Sequence, residues 1–517
     1  MARFLFVLIA MLCGASTLGL ASDDPVKAVE QTGPAIQIHP ENPKYFLFRS
    51  RPVFLLTATE HYGAVMNRPF NYRRYLDDMV DKRMTFTRTF LLYRELQTPR
   101  NPYSTSKPES PDYIAPWPRT GPGKALDGEP IYDLDQWNEE YFARLKDFLT
   151  EASKRGIIVE LTLFSHTYRD NIWALNPLKA ENNKQQVGKV PWPAYDSLTE
   201  PALVERQKAY ARKVVQATSQ FDNVYYEICN EPAGGVRDSN ISLADVDAWL
   251  VEMAATVRGE LKKLGRKHLI FGAEAFDVGN LAQHFEKTFS GKVWDAVILH
   301  PSTYVRYQGR NYRMGDFMSK QLALRDVRDF CLAVADKPKP LVSDEDNAAS
   351  MYRDIQGWTI HRKRAWVTLL SAAHYDYIDF SIRIGQETGT DESNRKLRTW
   401  FKHLSSLMQS FDFIKAKPGV AWLRGAPRPV LVTTLAVDGE DYLAYLADAR
   451  ELTEPDAGSP ISGTLDLQLP AGKFEVRLYS PTTGGLSPAV NIEGGKPQQF
   501  ELLPFEHDVV VRAKKVR

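Results

Sequence analysis

The sequence predicts a (β/α)8 TIM barrel followed by a small all-β sandwich domain, and three observations carry that prediction. From residue 51 to about 410, short β-rich apolar runs alternate with longer amphipathic ones, the pattern of a parallel sheet covered by helices. Eight such units follow one another without a break, and no glycine-rich dinucleotide or phosphate loop follows any strand, which favours a closed barrel over an open doubly wound sheet. Beyond Ser410 the helical pattern stops, and from Pro418 short alternating strands punctuated by turn residues replace it.

Barrel strands are expected at 53–57, 85–90, 157–163, 224–228, 269–271, 296–299, 340–343 and 377–380. Helices are expected at 72–81, 139–154, 201–218, 243–264, 320–335, 361–373 and 396–409, with a looser helical pattern at 278–287. Two long inserts, 95–137 after the second strand and 165–200 after the third, fall on the C-terminal face of the barrel, where loops wall a cleft. The final domain is expected to place strands at 430–434, 442–447, 463–468, 473–479, 499–502 and 508–511. Residues 1–21 have the form of an export signal: Arg3, an apolar stretch from Phe4 to Leu12, and the small-x-small triplet Gly19-Leu20-Ala21. The expected division is therefore a signal peptide at 1–21, an extension at 22–44, the barrel at 45–412 and the β-sandwich at 413–517, in a protein that is secreted or periplasmic.

Lys plus Arg number 65 against 64 Asp plus Glu, so the net charge of +1 gives no reason to expect a nucleic-acid or anionic-membrane partner. The apolar leader is shorter than the roughly 20 residues of a spanning helix. Signal cleavage would leave Cys229 and Cys331, whose pairing the sequence does not decide. Neither His/Cys clustering nor metal-ligand spacing occurs, so no metal and no cofactor are expected. Oligomeric state is not readable.

The chemistry concentrates at strand ends. Glu231 closes the run Val224-Tyr225-Tyr226-Glu227-Ile228-Cys229-Asn230-Glu231-Pro232, just past the fourth strand, where a carboxylate points into the barrel mouth. This strand-terminal Asn-Glu-Pro resembles that of the clan A glycoside hydrolases, which include the family 5 cellulases and mannanases. The resemblance implies a carbohydrate substrate, Glu231 as acid/base and Asn230 on the sugar 2-hydroxyl. It implies a second carboxylate ending strand seven, and the sequence offers Lys339-Pro340-Leu341-Val342-Ser343-Asp344-Glu345-Asp346-Asn347. Period-two alternation puts Glu345 on one face with Ser343 and Leu341, and Asp344 on the other, so Glu345 is preferred as nucleophile with Asp344 as competitor. In such retaining enzymes the two carboxyls sit about 5 to 5.5 Å apart and act by double displacement. By the same resemblance Arg88 on strand two would orient the nucleophile, and His300 and Tyr304 after strand six would flank the pair. His166 ends strand three, and Glu60-His61-Tyr62 follows strand one, where the acid contacts sugar hydroxyls or caps a loop.

The start Tyr45-Phe46-Leu47-Phe48-Arg49-Ser50-Arg51-Pro52-Val53-Phe54 resembles that of a bacterial group of cellulase-like barrels. Its members carry a C-terminal module named for collagen binding, and Leu478-Tyr479-Ser480-Pro481-Thr482-Thr483-Gly484 resembles that module's strand and turn. Strand eight lacks the Trp platform of many clan members and offers Tyr375, Tyr377 and Phe380, followed by Arg383. The sugar, the linkage and the choice between endo and exo action stay open. A non-catalytic carbohydrate-binding protein on the same barrel is the rival reading, with Asp344-Glu345-Asp346 as a binding or calcium cluster.

Overall fold

The computed structural model describes residues 33–60, 63–94, 112–300, 303–315, 319–346, 348–350 and 352–516. The expected signal peptide and His61 lie outside them. Eight parallel strands make the central sheet: β1 Leu56–Thr59, β2 Phe86–Phe90, β3 Ile158–Ser165, β4 Val224–Asn230, β5 Ile270–Gly272, β6 Ala296–Leu299, β7 Leu341–Asp346 and β8 His374–Ile378. They pair in the order β1-β8-β7-β6-β5-β4-β3-β2. The two end strands meet where the Thr85 amide donates to the Leu56 carbonyl at 3.1 Å and the Leu56 amide donates to the Thr85 hydroxyl at 2.9 Å. That contact brings the sheet round into a barrel.

Among the described residues, seven helices of ten residues or more follow the strands: α1 Tyr72–Asp81, α2 Glu139–Lys154, α3 Pro201–Thr218, α4 Leu243–Lys263, α5 Leu324–Ala333, α6 Ile355–Leu370 and α7 Thr399–Gln409. Local chemistry sets their starts. The Asn71 and Asn138 side chains accept from the amides of Arg74 and Glu140, Pro201 opens α3, and Ser242 with Asp245 forms a capping box on α4. The helix expected at 278–287 does not form. Strands Phe276–Asp277 and Ala282–His284 stand there instead, because the Asp277 carboxylate accepts from the Asn280 amide and side chain at 3.0 and 2.7 Å and turns the chain. With Ala233–Gly234, Tyr304–Tyr307 and Arg310–Arg313 they build a five-stranded side sheet from the loops after β4, β5 and β6.

Inside the barrel, side chains alternate between the helix-packed face and the interior. Phe86, Ile158, Tyr225, Phe271 and Val342 form an apolar floor. Strands Gln37–Ile38, Phe46–Phe48 and Arg51–Val53 fold under it as an antiparallel plug, with the Phe46 ring stacked 5.6 Å from that of Phe271. Arg51–Val53 is thus spent on the plug, and β1 begins later than expected.

The C-terminal part is a sandwich, as expected. Its larger sheet contains β9 Val430–Val437, β10 Asp441–Asp448, β12 Lys473–Tyr479 and β14 Asp508–Lys515, and its smaller sheet contains β11 Ile461–Leu467 and β13 Gln498–Phe505. β10 is buried along its whole length because it has covers on both faces. Tyr442, Ala444 and Leu446 face the smaller sheet, while Leu443, Tyr445 and Ala447 join the core of the barrel and its helices. The Trp366 ring of α6 stacks on Tyr445 at 5.5 Å. From Gly357 to Leu370, α6 is buried all round. Cys229 and Cys331 are buried free thiols, and among the described residues no helix is long and apolar enough to cross a membrane.

Phe46 is fully buried between plug and floor. Phe46→Ala should therefore cost about 3–5 kcal/mol; urea denaturation of the two proteins measures it.

Candidate active site

Two glutamates stand at the C-terminal ends of β4 and β7, both in left-handed backbone: φ is 45° at Glu231 and 60° at Glu345. Non-glycine residues hold this conformation at a cost of about 1–3 kcal/mol each, and only where the surroundings impose it. At Glu345 the imposing feature is a β-bulge: Ser343 pairs with Tyr375 and Asp346 with Tyr377, so β7 carries one residue more than β8 between these pairs. The alternation expected from sequence is broken there. Val342 lies on the barrel floor and Asp344 follows it into the interior, contrary to the outward face expected for Asp344; the bulge then turns Glu345 inward as well. Both side chains reach the same guanidinium.

That guanidinium is Arg88 of β2, whose side chain is 1% exposed. Its Nη1 donates to Glu345 Oε2, its Nη2 donates to Glu227 Oε2 at 2.7 Å and to Asn230 Oδ1 at 2.8 Å, and its Nε donates to Glu227 Oε2 at 3.0 Å. Asp344 Oδ2 lies 3.3 Å and Glu160 Oε1 3.8 Å from Nε. The other cation candidate is His300, after β6. It stands between Glu227 and Glu231, 3.7 Å from an oxygen of each. One oxygen of Glu231, one of Glu345 and one ring nitrogen of His300 all lie within 4.8 Å of one another.

Carboxyls outnumber cations in this interior, so some are neutral. Burial, reinforced by the charge of Asp344, pushes Glu160 and Asp376 well above the usual carboxyl range. Burial opposes ionisation of Glu227 too, yet Arg88 and His300 hold it down at about 2. For His300 burial favours the neutral ring, and the carboxylates on either side override it, pushing the imidazole up to about 10. The Glu231–Glu345 pair is strongly coupled. Burial and the charge of Glu231 push Glu345 up to about 7 against the pull of Arg88, while at Glu231 burial is overcome by His300 and Tyr168, which hold it below its usual value. The pair thus shares one proton up to about pH 7.

The remaining expected residues divide. Asn230 joins the site: its amide donates to Ser165 Oγ at 3.1 Å and to Tyr168 Oη at 2.7 Å. His166 is buried beside it, with Nδ1 2.8 Å from Asp196 Oδ2. Glu60 caps its own loop, accepting from the amides of Gly63 and Ala64 at 2.5 and 3.1 Å. Tyr304 begins a strand of the side sheet and is 38% exposed. The tyrosine that reaches the pair is Tyr168, whose hydroxyl donates to Glu231 Oε2 at 2.6 Å. It went unread, although it lies just beyond His166 in the loop after β3. Tyr375 and Tyr377 point to the helix side, where the first meets His361 at 3.0 Å and the second packs on the same ring at 3.9 Å.

By spacing, Glu227, His300 and Asp344, or Glu231, His300 and Glu345, could hold a metal ion. These donors come from different strands, so no local sequence spacing announces them. Arg88 already lies against both Glu227 and Asp344 and provides the positive charge a metal would bring.

The family model described as a domain of unknown function, DUF6298, matches residues 106–257. No curated protein matches the chain. Among solved structures, a glycoside hydrolase family 5 protein from Bacteroides vulgatus ATCC 8482 is similar with a TM-score of 0.58 at 14% identity, covering 93% of each chain. A further structure described as a glycoside hydrolase is similar with a TM-score of 0.56 at 12% identity, over 93% of this chain and 97% of that one. At this identity the likeness establishes a shared fold.

Arg88→Met leaves the interior carboxylates uncompensated and should cost about 3–5 kcal/mol at pH 7. In the variant their folded-state pKa values rise above the unfolded ones, so stability is retained at low pH and lost as pH rises. Thermal melts at pH 5 and pH 7 should show the variant closer to wild type at pH 5.

Proposed function

We propose that the protein is a retaining glycoside hydrolase that cleaves β-linked glycosides or polysaccharides by double displacement. Glu231 is the acid/base and Glu345 the nucleophile. The observation that carries the reading is that one carboxylate oxygen of Glu231 and one of Glu345 lie within 4.8 Å of each other, an approach that suits the roughly 5 to 5.5 Å separation of retaining pairs. The apolar leader at 1–21 supports action after export, in the periplasm or outside the cell.

In the first step Glu345 attacks the anomeric carbon while Glu231 protonates the departing oxygen; in the second, Glu231 takes a proton from water as it displaces Glu345 from the sugar. The first step needs the shared proton on Glu231. Arg88 favours this arrangement by donating to the Glu345 carboxylate, and the leaving oxygen offers Glu231 a receiver for its proton. Once the glycosyl–Glu345 ester forms, one negative charge is masked, and His300 and Tyr168 favour the ionised Glu231 that the second step requires. A carbohydrate-binding protein without turnover is the second reading. Sugar binding by calorimetry with no hydrolysis would select it.

Release of 2,4-dinitrophenol in the first step, whose leaving group needs no proton, should survive in Glu231→Gln as a burst followed by slow steady-state turnover, because the second step has lost its base, while kcat/KM on substrates with poor leaving groups falls about 10²–10⁴-fold. Glu345→Gln should abolish both, and wild-type rates in either variant would refute the assignment. Because the pair loses its proton as pH rises through about 7, kcat/KM should fall above that pH. A profile still level at pH 9 would contradict the proton inventory.

A further inference from the structure

Residues two apart on an α-helix lie about 200° round its axis, so Arg362 and Arg364 of α6 point in opposite directions. Arg362 points outward into the C-terminal domain, where Nε and Nη2 donate to Asp508 of β14 at 2.8 and 3.0 Å, and the Tyr445 hydroxyl donates to the same carboxylate at 2.8 Å. Lys363, between them, donates to the Asp448 carbonyl of β10 at 2.9 Å. Arg364 points inward. Its Nε donates to Asp346 Oδ2 at 2.5 Å and its Nη1 to the carbonyls of Met314 and Leu322 at 3.0 and 3.1 Å. Both ion pairs are buried, no partner being more than 2% exposed.

Asp346 is the residue that resumes regular pairing after the bulge at Glu345. A bulge with a left-handed glutamate is strained, and relaxing it to regular pairing shifts the register by one residue, which reverses the faces of the side chains it carries. In regular alternation Glu345 would join Leu341 on the helix side, away from Arg88 and Glu231. We propose that Arg364 is a positioning residue for Glu345: by holding Asp346 it keeps the bulge, and the C-terminal domain, through Asp508 and Asp448, holds the helix that carries Arg364. On this account the C-terminal domain is part of the catalytic apparatus and no independent binding module.

The kinetic readout rests on the glycosidase reading; a structural readout does not. In Asp346→Asn, compared with wild type at a temperature where circular dichroism shows both folded, kcat on a 2,4-dinitrophenyl glycoside should fall about 100-fold with KM within about threefold, the scale expected from an ångström-sized misplacement. Asp346→Glu should recover part of the loss, and Asp508→Asn should lower kcat in the same direction. If Asp346→Asn does not fold, Arg364→Lys takes its place, since lysine keeps the charge without the fork that spans Asp346 and two carbonyls. A kcat within about twofold of wild type in folded Asp346→Asn or Arg364→Lys overturns the proposal, as does failure of both to fold, which would make the pair merely structural. An unchanged kcat in Asp508→Asn removes the C-terminal domain from it. Should the wild type hydrolyse no glycoside, the crystal structure of Asp346→Asn decides: loss of the positive φ at Glu345 and of its contact with Arg88 supports the proposal, and an unchanged bulge overturns it.

Discussion

The Arg88 guanidinium sits where a barrel of this kind would otherwise be packed with aliphatic side chains, and the polar half of the interior is organised around it. Four strands place an ionisable group two residues beyond an apolar floor residue, in Phe86-x-Arg88, Ile158-x-Glu160, Tyr225-x-Glu227 and Val342-x-Asp344, and β8 adds Asp376 two residues beyond the buried His374. Buried carboxylates are tolerable only when paired or neutralised. Arg88 pairs with Glu227 directly and lies against Asp344 and Glu160, while burial leaves Glu160 and Asp376 protonated. An arginine suits this position because its planar fork serves several acceptors at once and it does not give up its charge when buried. Glu231 and Glu345 stand next to that charged layer, and Arg88 joins the two by donating to Glu345 as well as to Glu227.

Strain is the second constraint. Glu231 and Glu345 are both held in left-handed backbone at the ends of otherwise regular strands. A closed barrel can bear such strain because the strands on either side are themselves fixed by their neighbours. At β7 the support extends further, through Asp346 and Arg364 into α6, and from α6 through Arg362 into the C-terminal sheet. The complete burial of α6 follows from this arrangement: it is an outer helix of the barrel and an inner layer of a second sandwich at once.

Much of this is legible in the sequence where a local signal coincides with the structural cause. α1, α2 and α3 begin and end where the pattern places them, because asparagine caps and a leading proline mark their starts. Glu231 and Arg88 are legible because a strand's end or its inward face is readable from the apolar run around it. The bulge is not, since it depends on pairing with β8, and strict alternation therefore put Asp344 on the wrong face. The acids at 160 and 227 each interrupt an apolar strand two residues beyond a floor residue, Ile158 and Tyr225, a signal visible only when the strands are aligned with one another. The stretch 278–287 has a helical pattern, but the Asx turn at Asp277 overrides it.

The most direct test of the double-displacement account is to trap its covalent intermediate. Wild-type protein treated with 2,4-dinitrophenyl 2-deoxy-2-fluoro-β-glycosides, digested with pepsin and sequenced by mass spectrometry should carry one fluoroglycosyl group, on Glu345. An adduct on Asp344 or another residue, or turnover that inverts the anomeric centre without any adduct, would contradict it.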